Sequence, residues 1–373
     1  MERRDRKGFA LRLEAILLYL AAVAVVLACA ATSSFAQQVP LNSATLTKYL
    51  DPLPDPAVLM PDATTYPGYD YYEIAMTEFS QKLHTQLPPT IVWGYSGSYP
   101  GPTIESQRGT PTKVKWVNGL VDPILQFFLP VDQTLHWANP LGLPMDDPLR
   151  FLPYMGPVPT VTHLHGGEVR SDSDGHPEDW FLPGQWKIYD YPNAQEATTL
   201  WYHDHALGAT RLNVYGGLAA FYLLRDSSNE PANLPSGDYE REIVIQDRMF
   251  DINGQLLFPS AGINPMVHPF WIPEFFGDTI VVNGKIWPYL NVEPRRYRFR
   301  LLNGSNARFY NLSFGNRMPF WQIGTDGGLV DKPVMVSPLL LALGERADVI
   351  VDFGGIPTGT NILLTNDARY ALP

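Results

Sequence analysis

The stretches "TVTHLHGGEV" (160–169) and "TLWYHDHALG" (199–208) each set two histidines one residue apart. Together they hold four of the eight histidines in a chain of 373 residues. Each pair lies in a β-branched and aromatic run followed by glycine or alanine, the composition of a strand meeting a turn. A strand sends alternate side chains to one face. His163 and His165 therefore point one way and Leu164 the other, and His203 and His205 do the same around Asp204. Two such strands side by side would gather four imidazoles at one place, which is a metal site in outline.

Outward from these pairs the chain reads as short strands separated by turns. The runs "YYEIAMTEF" (71–79), "TKVKWVN" (112–118), "TTLWYHDH" (198–205) and "GLAAFYLL" (217–224) form a first series. The polar segment "RDSSNEPANLPSGD" (225–238) has no periodicity and reads as a linker. A second series follows: "REIVIQDRMF" (241–250), "DTIVVNG" (278–284), "YRFRLLN" (297–303), "ADVIVDF" (347–353) and "NILLTN" (361–366). With 35 prolines, 30 glycines and no convincing helical period, this argues for an all-β chain of two successive β-sandwich units. The expected division is 37–225, beginning with a proline-rich arm over 37–70 that wraps the first unit, and 226–373. A faint repeat supports it: "GPTIESQRGTPTKVKWVN" (101–118) parallels "WPYLNVEPRRYRFRLLN" (287–303).

The start looks like a targeting segment. Arg3, Arg4, Arg6, Lys7 and Arg12 precede the apolar run Ala15 to Ala31, and Ser34-Phe35-Ala36 offers a small-residue cleavage site before Gln37. Residues 1–36 are therefore expected to be a signal peptide, with an uncleaved anchor or a lipoprotein signal ending at Cys29 as lesser readings. Its removal takes away five basic and three acidic residues and moves the net charge from −11 to −13. Such a chain is not built for nucleic acid, whose phosphates require basic patches. No cysteine remains, because Cys29 is the only one.

Neutral imidazole suits zinc, copper, iron and nickel alike, so the pairs alone do not choose a metal. A hydrolytic zinc site would want three ligands, an open position and a carboxylate base. Asp174 or Glu178, in "SDSDGHPED" (171–179), could serve as that base. His176 in the same loop reads as exposed, and His84, His136 and His268 sit in no motif.

The surrounding words narrow the choice. "PGPTIE" (100–105), "HLHGG" (163–167), "LWYHDHALG" (200–208), "YGGLAAFYLLRD" (215–226), "VNGKIWPYLNVEPRRYRFRLLNGSNARFYNLSF" (282–314) and "GERADVIVDF" (344–353) together resemble the multicopper oxidases. The nearest branch is the spore-coat laccase type, with its bilirubin-oxidase-like and plant ferroxidase-like members. The resemblance implies tandem cupredoxin-like Greek-key β-sandwiches, two in this chain. It implies that His163 binds a type 2 copper, that His165 and His203 share one type 3 copper, and that His205 binds the other. It further implies that Asp174 is an acid delivering protons to reduced oxygen. Dioxygen and a reducing substrate are the implied partners.

The chain departs from the family pattern at its far end. A third cupredoxin domain, with its H-x-x-H-x-H and H-C-H motifs, is absent before "NDARYALP" (366–373), so a type 1 copper site is not expected in this chain. The expectation is a secreted copper-dependent oxidoreductase, located in the cell wall or apoplast if the host is a plant. It would oxidise a phenolic, bilirubin-like or metal-ion substrate one electron at a time while reducing dioxygen to water, although this chain alone would be inactive. The alternative is a secreted, non-catalytic copper-binding or interaction module, with no obligatory membrane partner in either case. Glu274 in "PEFFGDT" (273–279), and secondarily Asp367 in "TNDARY" (365–370), are candidates for a carboxylate on the substrate side.

Overall fold

Alternation in the sequence becomes alternation in burial. In "TKVKWVN" the residues Thr112, Val114, Trp116 and Asn118 are buried while the lysines between them reach outward. The computed structural model describes residues 38–259 and 274–368. The expected signal peptide and His268 lie outside these. No helix among the described residues is long and apolar enough to cross a membrane.

The first eight strands are β1 (Asp70–Gln81), β2 (Thr90–Tyr95), β3 (Ile104–Gln107), β4 (Thr112–Asn118), β5 (Thr162–His165), β6 (Trp186–Tyr191), β7 (Thr198–Asp204) and β8 (Ala219–Arg225). They form two four-stranded sheets, ordered β2-β1-β4-β6 and β3-β8-β7-β5. Ile74, Val114, Trp116 and Tyr191 from one sheet meet Leu164, Leu200, Tyr202 and Tyr222 from the other in one core. The histidine pairs thus lie on or just past strands whose inward-facing residues, Leu164 and Tyr202, are anchored inside a sandwich. A short helix, α1 (Thr210–Gly216), follows β7 and was not evident from periodicity.

The second series comprises β9 (Glu240–Arg248), β10 (Thr279–Val282), β11 (Lys285–Ile286), β12 (Arg296–Asn303), β13 (Tyr310–Phe314), β14 (Phe320–Thr325), β15 (Gly328–Val336), β16 (Leu339–Leu341), β17 (Arg346–Asp352) and β18 (Leu364–Asn366). Seven of these make a sheet ordered β11-β10-β9-β12-β17-β14-β15, and three make β16-β13-β18. Between them pack Tyr297, Phe299, Leu301, Tyr310, Leu312, Val349 and Val351. The fold is all-β and cupredoxin-like. Residues 274–278 are irregular, with β10 starting only at Thr279.

The faint repeat has a structural counterpart. β4 pairs in parallel with β1, and β12 pairs in parallel with β9. Both β4 and β12 end in a fully buried asparagine. Asn118 Oδ1 accepts from the Leu120 amide and its Nδ2 donates to the carbonyls of Val158 and Phe181. Asn303 Oδ1 accepts from the Ser305 amide and its Nδ2 donates to the carbonyls of Arg308 and Leu341. One side chain thus satisfies three backbone groups where each strand leaves its sheet.

The outer face of β7 and β8 is covered as well. Trp201, Ala219, Phe221 and Leu223 pack with Val244 and Leu302 from β9 and β12. Around this apolar contact runs a buried ionic network. Arg298 binds Asp348 at 2.5–3.0 Å, Arg300 donates to Glu240 at 2.6 Å, and Arg225 meets Glu240 at 2.7 Å. The arm does more than wrap the first sandwich. Its Leu59 and Ala57 pair with Thr103, while Tyr49 and Leu53 donate to the carbonyls of Trp287 and Tyr289.

Candidate metal centre

The antiparallel register of β5 and β7 sets His163 opposite His203 and His165 opposite Trp201. One residue beyond the end of β7, the His205 amide donates to the Val161 carbonyl at 2.7 Å, which extends the same row. Residues directly opposite share a face, so all four imidazoles stand together. His163 and His203 each lie 5.2–5.7 Å, centroid to centroid, from one another and from both His165 and His205. Trp201 closes the row, stacked on His165 at 5.0 Å and lying 4.1 Å from His203.

Hydrogen bonds choose which nitrogen each ring presents. His163 Nδ1 lies 2.6 Å from the Asp174 carbonyl, and His203 Nδ1 lies 2.8 Å from the Asp204 carbonyl. A carbonyl only accepts, so both Nδ1 atoms carry the proton and both Nε2 atoms keep a free lone pair. His165 presents its other nitrogen: Nδ1 stands 3.3 Å from His203 Nε2. Two imidazole nitrogens bound to one ion at about 2 Å, at a roughly tetrahedral angle, would sit about 3.3 Å apart. One ligand atom from each of His163, His165 and His203 falls within 4.8 Å of the others. His205 stands beside this trio, and its Nδ1 is buried without a hydrogen-bond partner.

Burial holds His165, His203 and His205 neutral, as ligands must be. Burial, helped by the nearby Arg346 charge, lowers the pKa of His165 to about 3. Burial also places His203 well below the ordinary imidazole value and lowers His205. Asp204, between the last two histidines, points away from the row. Its carboxylate accepts from the Val161 amide at 2.9 Å, the Ala206 amide at 3.1 Å and Asn213 Nδ2 at 2.8 Å. It thereby ties the end of β7 to the chain entering β5 and to α1, although burial raises its pKa.

Asp174 acts on His163 chiefly through its backbone. Its carboxylate is partly exposed and lies 3.4 Å from the same Nδ1, on the side of the ring opposite the free lone pair. Gly175 allows this approach. Its φ is +76°, and a Cβ there would meet the Thr162 carbonyl oxygen at 2.1 Å. Glu178 and His176 are exposed and stay outside the converging trio. So do Glu274, which is exposed, and Asp367, whose Oδ1 accepts from Asn311 Nδ2 at 2.7 Å.

The chain matches multicopper oxidase family models over residues 155–229 and 266–366. A laccase of Bacillus stratosphericus is 46% identical over 336 residues, spanning 87% of this chain and 62% of that protein. The chain belongs to the multicopper oxidase family. Multicopper oxidase LPR1 of Arabidopsis thaliana is 42% identical over 81% of this chain and 52% of its own length. Among solved structures, a laccase from Pediococcus acidilactici superposes with a TM-score of 0.70 at 29% identity, covering 86% of this chain and 61% of that one. This multicopper oxidase chain thus spans about three fifths of the length of those two laccases.

Proposed function

We propose that this chain carries the oxygen-facing histidines of a copper oxidase, with His163 on a type 2 ion, His165 and His203 sharing one type 3 ion, and His205 on the other. The observation carrying the reading is the convergence of His165 Nδ1 and His203 Nε2 across the β5–β7 register. The donor set fits copper: neutral imidazoles, lone pairs turned to one place, and a buried His205 nitrogen lacking a partner. Copper bound there would supply one-electron chemistry toward dioxygen. In the whole protein this couples oxidation of a phenolic, bilirubin-like or metal-ion substrate to formation of water.

The chain's own residues prepare the site. The carbonyls of Asp174 and Asp204 hold protons on Nδ1 of His163 and His203, fixing the orientation of both rings. His165 must carry its proton on Nε2 to free Nδ1. Reduction of oxygen consumes protons, and the partly exposed Asp174 carboxylate, 3.4 Å from His163 Nδ1, is the candidate acid that this reading assigns to supply them. Glu274 and Asp367 remain candidates for the substrate side, and export of the chain is part of the same proposal.

The test is oxygen consumption with a phenolic reductant by the copper-loaded whole protein rather than by this chain alone. Consumption that disappears when His165 and His203 are both replaced by alanine supports the oxidase reading. Copper binding at these histidines without oxygen consumption supports the non-catalytic module. Copper retained by the double variant overturns the ligand assignment.

A further inference from the structure

The His165 ring is bounded on one side by a turn that comes from far along the chain. Gly344 lies in "GERADV" (344–349) with φ +69°. A Cβ placed on it would lie 3.1 Å from Cε1 of His165, 3.6 Å from its Nε2 and 3.5 Å from Cζ2 of Trp201. A side chain at Gly344 would therefore crowd the imidazole and the indole stacked on it, so the turn can come this near only as glycine. The Gly344 amide donates to the Asn303 carbonyl at 2.9 Å, which links the turn to the end of β12.

Two residues on, Arg346 fastens this turn to β7 and runs beside the residue that follows β5. Its side chain is 1% exposed. Nε donates to the Thr199 carbonyl in β7 at 2.9 Å, Nη1 to the Gly344 carbonyl at 2.9 Å, and Nη2 to the Asp326 carbonyl at 3.3 Å. The guanidinium also lies along the backbone of Gly166, the residue after His165, where a Cβ would come 2.6 Å from Nη2. Asp326, at 3.2 Å, is its ion-pair partner with a half-exposed carboxylate, and Glu345 adds a weaker negative charge. A buried arginine spending its donors on three carbonyls next to a ring of this kind is an expensive device if it serves packing alone.

We propose that Gly344 and Arg346 are positioning residues of the copper site, holding the His165 ring against Trp201 so that Nδ1 faces His203. This rests on the assignment of His165 and His203 to one ion. The second sandwich then takes part in the metal centre without contributing a ligand. Gly344 sets the ring's lateral position, and Arg346 sets the spacing between the end of β5 and β7. Losing a partner that orients a ligand costs about 10- to 100-fold in metal affinity.

The experiment measures copper(II) affinity of the full chain by chelator competition, together with thermal unfolding of the copper-free protein. Gly344→Ala, Arg346→Met and Arg346→Lys are compared with Val349→Ala, which opens a cavity in the core of the second sandwich away from the histidines. The expected result is an affinity loss of about 10- to 100-fold for Gly344→Ala and Arg346→Met, with partial recovery in Arg346→Lys. Val349→Ala should unfold at lower temperature and bind copper like wild type. The proposal is overturned if Gly344→Ala or a folded Arg346 variant binds copper as wild type does, or if Val349→Ala loses as much affinity as they do. Failure of the underlying ligand assignment has a different signature: replacing His165 and His203 with alanine would leave copper affinity unchanged.

Discussion

Acid should destabilise the metal-free protein partly through its histidines, and replacing His165 with phenylalanine should remove a measurable share of that effect. Burial, with the Arg346 charge as the second cause, holds the folded pKa of His165 at about 3, against 6.5 for the free group. The ring is neutral in the fold and gains a proton on unfolding. Below a pH of about 6.5 the unfolded state therefore binds more protons, and stability falls with pH until the folded group itself titrates. Inside that window one such group is worth at most about 1.4 kcal/mol per pH unit. Between pH of about 6.5 and 4.5 this amounts to about 2.7 kcal/mol, or about 2 kcal/mol once screening of the partly exposed ring is allowed for. Urea unfolding of chelator-treated protein near neutral pH and near pH ~4.5 measures it. The Phe variant should lose about 2 kcal/mol less than wild type between the two conditions. Equal losses in the two proteins would refute the claim that His165 is held neutral by its surroundings.

Three further outcomes are expected. Gly175→Ala should push the Asp174 loop off β5, costing about 1–3 kcal/mol in urea unfolding and weakening copper binding through His163, because its Cβ meets the Thr162 carbonyl and its φ is positive. Arg298→Met should cost about 3–5 kcal/mol in the same assay, since Asp348 would remain buried without the guanidinium it now binds at 2.5–3.0 Å. Protein secreted from an expression host should begin near Gln37 on N-terminal sequencing, and recovery of Met1 in a membrane fraction would point to an anchor instead.

The histidines were legible because period two is a local rule. His163, Leu164 and His165 alternate in the sequence as they do on the strand, and Leu164 sits in the core as that alternation requires. The register placing His163 opposite His203 is a long-range property that no single run encodes. The same rule misleads at Arg298 and Arg300. Their alternation with Tyr297, Phe299 and Leu301 reads as a solvated basic face, yet both are buried because Glu240 and Asp348 arrive from neighbouring strands. Asp174 was legible as a neighbour of the site, whereas the dominant contact of its backbone carbonyl with His163 was not. Gly344 and Arg346 carried no metal signal, since their role depends on contact with residues far away in the chain.

The central claim is that His165 and His203 hold one ion through different ring nitrogens. Crystals of the full chain soaked in copper(II), examined by anomalous diffraction at the copper edge, test it directly. The account predicts a copper peak about 2 Å from both His165 Nδ1 and His203 Nε2. A peak on His165 Nε2, or copper bound only at histidines outside the row formed by His163, His165, His203 and His205, would contradict it.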